Sequence, residues 1–295
     1  MMKKSSISYH IMMMPAIILL AIFAIYPMIG SIIAFENYNP VKGMWHSQFV
    51  GLENFKYMFQ IPEIKQVLYN TVSIAVMKII FTEGSALIFA LLLNELKNRF
   101  FKRTIQTIVY LPHFISWVLL GGIVANIFSL DGIVNHIIGM FGVKPIMFLG
   151  SNSWFPGILV GTSVWQEFGF GAIIYLAALT GIDPSLYEAA SIDGASRFKQ
   201  IISITLPGIS TTIVLMMMLN LQNILNAGSE QVLNLYNPMV YKSGDIIDTY
   251  VYRAGLKELQ YELATAVGLL KSVVSFIMVV LSYFLADKFA NYRIF

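Results

Sequence analysis

A small set of polar side chains stands inside stretches that are otherwise apolar, and these are the residues best placed to do chemistry. They are Lys78, Glu83, Gln166, Glu167, Asn220, Gln222, Asn223 and Lys271, with Trp165 beside them. In hydrocarbon such groups are costly, and they persist where they pair with one another or line a polar path. Their chemistry is hydrogen bonding rather than covalent catalysis. Amides and hydroxyls suit sugar hydroxyls, Trp or Tyr faces suit sugar rings, and Lys78 or Lys271 suits a uronic acid or sulfate. The competing arrangement is internal: Lys78 or Lys271 paired with Glu83 or Glu167, and amides bonded from helix to helix. Residue types alone leave both arrangements open.

Other chemistry has no support. There are no cysteines, which excludes disulfides and thiolate metal sites. His10, His46, His113 and His136 are scattered without metal-ligand spacing, and no H-E-x-x-H is present. A Walker A sequence and a G-x-S-x-G elbow are also absent. An intramembrane hydrolase, the reading from a different function class, therefore has no nucleophile–base pair to rest on.

The elements that must carry these residues are membrane spans. The 295 residues are 57% hydrophobic and 12% charged, and mean hydropathy is +0.70. A soluble domain carries a charged fraction of about 25%, so the chain is an integral membrane protein. A net charge of +3 without a basic run argues against a nucleic-acid partner. Lys3 and Lys4 precede an apolar run at 11–35 that is too long for a signal peptide and lacks an A-x-A site, so it reads as a first span. Five more are predicted at about 70–93, 105–128, 157–179, 208–227 and 264–285.

Two long connections, 36–69 and 228–263, fall on one side. Ten of the 19 Lys and Arg fall on the short segments of the other side, which makes that side cytoplasmic and puts both termini inside. On this topology, at about 1.5 Å per residue, Lys78 lies about 12 Å and Glu83 about 20 Å below the outer face. Gln166, Glu167 and Asn220 come near the midplane, Gln222 and Asn223 lie in the outer half, and Lys271 is about 10 Å deep. The external stretch 241–256 carries Ile246, Ile247, Tyr250, Val251 and Leu256 at helical spacing, as an amphipathic segment lying on the outer surface would.

One cytoplasmic loop is not written like a linker: GIDPSLYEAASIDGASRFKQIISITLP, residues 181–207. Asp183 is a good N-cap and Pro184 fits the first helical position. Leu186, Tyr187, Ala189, Ala190 and Ile192 give a short helix an apolar side. Gly194 permits a bend. A second amphipathic turn follows, apolar at Phe198, Ile201, Ile202 and Ile204 and polar at Arg197, Lys199 and Gln200, and Pro207 precedes the next span.

This loop resembles the EAA loop of importer-type ABC permeases. Glu188-Ala189-Ala190, three residues, Gly194, nine residues and Ile204-Thr205-Leu206-Pro207 keep every spacing of that pattern, and Asp193-Gly194-Ala195 matches its usual D-G-A. The stretches 175–207 and 231–256 are similar to oligosaccharide permeases of the maltose-transporter class, in the branch of Gram-positive polysaccharide uptake. The resemblance implies an all-α type I importer permease fold with six transmembrane helices, N-in and C-in. Residues 1–69 would form a first span and external segment, and 70–295 a five-span core containing the coupling loop 181–207.

It further implies that Tyr187, Glu188, Ala189, Ala190, Asp193, Gly194, Ala195, Arg197 and Phe198 meet the ATPase. Lys78, Trp165, Gln166, Glu167, Asn220, Gln222, Asn223 and Lys271 would face the translocation cavity. The expected partners are a second, non-identical permease subunit, two ABC ATPase subunits, an extracytoplasmic binding protein, the oligosaccharide and membrane lipid. ATP and Mg would belong to the partner subunits, with no cofactor in this chain. The setting is a bacterial plasma membrane, and a related importer for an amino acid or polyol phosphate is the alternative.

Overall fold

The computed structural model describes residues 2–222 and 224–290; the side chains of residues 2–8, 222 and 285–290 fall outside that description. Four helices are long and apolar enough to cross a membrane: Tyr9–Phe35, Pro62–Glu95, Phe155–Leu179 and Tyr261–Phe284. Two further spans, the third and the fifth, are broken. Arg99–Phe114 and Trp117–Ile127 meet at 104°, and Arg197–Gly208 and Ser210–Leu221 at 61°. With each bent pair taken as one span the candidates number six, as expected from the sequence, and the bends are what hydropathy does not show.

Local chemistry explains the breaks. In the third span Ile115 and Ser116 adopt extended backbone, with ψ of 128° and 151°, just after Pro112. A residue in that conformation cannot close an α-helical turn. The fifth span bends at Ile209, after Pro207-Gly208. Two π-helical turns, Ala21–Ile25 and Ile201–Thr205, each lie two residues before a proline, Pro27 and Pro207. Proline lacks the N–H of an α-turn and its ring pushes on the carbonyl four residues back. In both cases that carbonyl lies within the widened turn, which relieves the clash.

The chain divides into two compact units. One comprises the described residues of Met1–Lys65 with Tyr250–Ser272; the other is Gln66–Thr249 with the described residues of Val273–Phe295.

The first unit holds the only strands among the described residues, a two-residue pair (Glu36–Asn37 with Gln48–Phe49). Asn54, on the helix Glu53–Gln60, donates to Ala34 O at 3.0 Å and Glu36 O at 2.9 Å. Arg253 is mostly buried and grips Glu63 at 2.9 Å and Glu258 at 3.0 Å while lying over the Tyr250 ring.

In the second unit, the second and fourth spans meet the fifth through a core of Ala86, Ala90, Ala172, Tyr175, Leu179 and Ile209. The three alanines let helix backbones come close, which is how packing holds helices together when lipid is as apolar as the helix surface. The stretch expected to lie on the outer surface is instead folded in. Ile246, Ile247 and Tyr250 are all almost fully buried. In the second unit Asn70 donates to Lys242 O and Asp245 O, each at 3.1 Å, and the Thr71 hydroxyl accepts from Ile247 N at 2.9 Å. Apolar residues at helical spacing describe a buried helix as well as a surface one, and the buried polar clamps of Asn70 and Thr71 decide between them here.

Candidate functional site

The second unit carries a polar groove made of three hollows of about 720, 400 and 400 Å³ that share Glu167. The break in the third span is its floor. The helix ends at Ile115 and leaves that carbonyl without a helical partner. Gln166, from the fourth span, donates its Nε2 to Ile115 O at 3.0 Å. A broken helix at membrane depth is tolerated when a neighbour satisfies its freed backbone groups. Glu167 accepts from His113 Nδ1 at 2.9 Å, and the His113 ring stacks on Phe170 with centroids 3.9 Å apart.

Two buried clusters sit along the second span. Lys78 donates to Ala227 O at 2.7 Å and to Gln231 Oε1, and the Gln231 amide donates on to Leu159 O at 2.8 Å and Thr162 Oγ1 at 2.7 Å. The Ala227-Gly228 turn that presents this carbonyl has positive φ at both residues, 38° and 76°. A Cβ on Gly228 would lie 2.6 Å from Lys78 Nζ, so glycine serves both the backbone and the ammonium. Deeper, Glu83 accepts from Tyr175 OH at 2.5 Å and from Asn220 Nδ2 at 2.8 Å.

These bonds resolve the two arrangements the sequence left open. The expected ion pairs of Lys78 with Glu83 or Glu167 are not formed. Among the described residues Lys78 is held by a carbonyl and an amide, Glu83 by a phenol and an amide, and Glu167 by an imidazole. Yet Lys78, Gln166, Glu167 and Asn220 also line the groove. Trp165 stands apart, on apolar hollows of about 450 and 660 Å³. Helical residues advance by about 100°, so a residue two before Glu167 points nearly opposite. Trp117 takes the aromatic position on the polar groove. Lys271 lies half-buried on the last helix, in the first unit. Asn223 and the Gln222 side chain lie outside the described residues.

Sequence reasoning missed His113, Trp117 and Gln231. Pro112 and Ser116 flank His113 in L-P-H-F-I-S and could have marked the break. Gln231 had no signal beyond being one amide in a short apolar run.

The coupling loop is built as its sequence suggests, and more rigidly. Asp183 caps the helix Pro184–Ile192, accepting from Ser185 N at 2.9 Å. That backbone donor, first among its causes, holds the Asp183 carboxyl below its ordinary value. The helix ends in a Schellman motif: Ala195 N donates to Ala190 O at 2.9 Å and Gly194 N to Ser191 O at 3.1 Å, with Gly194 at φ 75°. The EAA alanine at 190 therefore supplies the carbonyl that the glycine bend needs.

Gln200, expected on the polar side, is buried instead. It donates to Ser191 Oγ at 3.0 Å and Ala195 O at 3.2 Å, stapling the two short helices. Tyr187, half-buried, bonds Thr205 at 2.9 Å. Glu188, Ala189, Asp193, Arg197 and Phe198 are exposed, Ala190 and Ala195 partly so. Ile192 and Phe198 are 87% and 73% exposed.

Broken spans around a polar groove, beside a rigid loop with a bare apolar surface, define a transport permease of the multi-pass membrane class. Residues 84–291 match the family described as binding-protein-dependent transport system inner membrane component, and the chain belongs to that family. It is 40% identical over 287 residues to Protein LplB of Bacillus subtilis (strain 168), covering 97% of this chain and 90% of that protein. It is 39% identical to the polygalacturonan/rhamnogalacturonan transport system permease protein YteP of the same organism, covering 97% and 89%. A solved bacterial alginate ABC transporter, in complex with alginate pentasaccharide-bound periplasmic protein, contains a chain 34% identical with a TM-score of 0.89, covering 99% of this chain and 98% of that one.

Proposed function

We propose that this chain is a permease subunit of a binding-protein-dependent ABC importer that passes an oligosaccharide into the cytoplasm by alternating access. The observation that carries the reading is the bare apolar surface of the 181–207 loop. Ile192 and Phe198 are large, apolar and exposed on a loop held rigid by Asp183, the Schellman turn, Gln200 and Tyr187. Such a surface on the cytoplasmic side calls for a partner. ABC ATPase subunits, which bind ATP and Mg, fill that role, and this chain itself hydrolyses no nucleotide.

A substrate-loaded binding protein delivers from outside, and a second, non-identical permease subunit completes the cavity. The relatives named above, which include a polygalacturonan permease and an alginate importer, support a saccharide as cargo. In this mechanism ATPase closure displaces Gly181–Pro207 as one body, and the bent fifth span that begins within it transmits the movement to the groove. Glu188, Ala189, Ala190, Asp193, Gly194, Ala195, Arg197 and Phe198 form the coupling face, while Tyr187 anchors it from within.

The test is co-purification with the ATPase subunits and saccharide-stimulated ATP hydrolysis in lipid. Phe198→Asp and Ile192→Asp are expected to insert normally and lose both. Unchanged ATPase association and stimulation in the double variant would overturn the reading.

A further inference from the structure

The helix Arg99–Tyr110, the inner half of the broken third span, carries its charge at the wrong end for its own stability. Arg99, Lys102 and Arg103 crowd its opening turns, Lys97 stands just before it, and its first turn holds no acid. The N-terminus of a helix is its positive pole, so cations there are unfavourable and an anion is favoured. Little in this chain answers them. Glu95 is the sole acid between Glu83 and Asp131, and it lies 4.0 Å from Arg197 of the coupling loop. Among the described residues none of the four cations forms an ion pair or a side-chain hydrogen bond.

The same helix is bare along an apolar edge. At about 100° per residue, Lys102, Arg99, Arg103 and Thr107 share one arc, and Phe100, Phe101, Ile105 and Ile108 fall on the other. Val109 packs on the fourth span, so closely that a Cβ on Gly169 would come within 2.4 Å of its carbonyl oxygen. Phe100 is 82% exposed, and Phe101, Ile108 and Leu111 are each more than half exposed. The two halves of the broken span meet at 104°, so they cannot both follow the bilayer normal. The charged end belongs at the cytoplasmic headgroups and the apolar edge against acyl chains, the posture of an interfacial amphipathic helix. Orienting the chain requires positive charge near this end, but not its interleaving with bare aromatic side chains.

We propose that Lys97, Arg99, Lys102 and Arg103, with Phe100 and Phe101 between them, form a binding site for an anionic phospholipid of the inner leaflet. The inference goes beyond the importer reading and does not depend on its cargo. Arg99 and Arg103, four residues apart on one face, offer two guanidinium groups to one phosphodiester, whose oxygens accept from them. The phenyl rings meet the acyl chains of the same molecule. An acidic protein surface would match the cations and leave Phe100, Phe101 and Ile108 uncovered, whereas a lipid matches both.

The experiment uses the whole complex in phosphatidylcholine vesicles containing a minor share of phosphatidylglycerol. Spin-labelled forms of the two lipids report, through their immobilised fractions, how strongly each associates with the protein. The wild type is expected to prefer phosphatidylglycerol, and to lose that preference in about 1 M salt, where the Debye length is about 3 Å. Arg99→Gln/Arg103→Gln keeps Lys97 and Lys102 to orient the chain. At roughly a factor of five per cation near the surface, it is expected to cut the preference of this site at least fivefold. Phe100→Ser/Phe101→Ser keeps every cation and is expected to weaken phosphatidylglycerol association several-fold. Lys3→Gln/Lys4→Gln removes as much charge from the same side and is expected to leave the preference unchanged. Wild-type preference in either patch variant overturns the site, and so does an equal loss in the Lys3/Lys4 variant, which would show diffuse charge. Displacement of the lipid by soluble glycerol phosphate would make bare phosphate the ligand and overturn the lipid assignment. Loss of the ATPase subunits from Arg99→Gln/Arg103→Gln at unchanged lipid preference would give the surface to them instead.

Discussion

Replacing Gly194 separates backbone strain from lost contact. Gly194 sits at φ 75°, and a Cβ built on it meets nothing within 4 Å in this chain. Any cost of a side chain inside the loop is therefore conformational. The left-handed region costs an ordinary L-residue about 1–2 kcal/mol, more for a β-branched one, while asparagine visits it readily. Gly194→Val should then raise the open population of the turn by a factor of roughly 5–30. Gly194→Asn, of similar bulk, should change it by less than about threefold. Amide hydrogen exchange at Ala195, whose N–H closes the six-to-one bond to Ala190, reads that population directly. Stimulated ATP hydrolysis is expected to fall in the same order, Val well below Asn. If Val and Asn lose activity equally while Ala195 exchange is unchanged, the glycine is needed for room against a partner, and the strain argument is wrong.

The remaining expectations follow from other named contacts. Tyr175→Phe leaves a buried oxygen of Glu83 without its donor and should lower unfolding stability in detergent by about 1–2 kcal/mol; an unchanged midpoint would show the phenol is not what holds the second and fourth spans together. Arg253→Met removes two ion pairs whose carboxylates are about half exposed, so about 1 kcal/mol is expected, seen as faster proteolysis of the external segments of the first unit. Because Asp183 titrates below its ordinary value when folded, its cap is fully present at neutral pH and is lost only as pH falls below the usual carboxylate range. Asp183→Asn, which still accepts from Ser185, should make helicity of 184–192 insensitive to acid over that range; an equal acid response in both proteins would place the sensitivity elsewhere.

How much was legible in the sequence depended on whether the governing interaction was local. The membrane spans were, because a run of apolar side chains long enough to cross is a property of consecutive residues. The coupling loop was legible for the same reason. An Asp-Pro cap, a short apolar face and a glycine at the bend act within a few residues, and the structure places each as its neighbours dictate. Even there Gln200 was misjudged as a polar-face residue, since its partners, Ser191 and Ala195, lie across the bend.

By itself, then, the sequence determined the class, the spans and the shape of the cytoplasmic loop. Tertiary structure alone decided which polar residue answers which. Lys78 meets a carbonyl 149 positions away rather than Glu83 five residues along its own helix. Glu167 meets a histidine that no spacing singled out, and Trp165 turns away from the groove while Trp117 turns in. The physical reason is common to all of these. A buried polar group is costly until it is paired, and its partner comes from whichever backbone break or side chain the packed helices bring within hydrogen-bonding distance. The break at Ile115 created the demand that fixed Gln166 and left its Oε1 without a partner among the described residues.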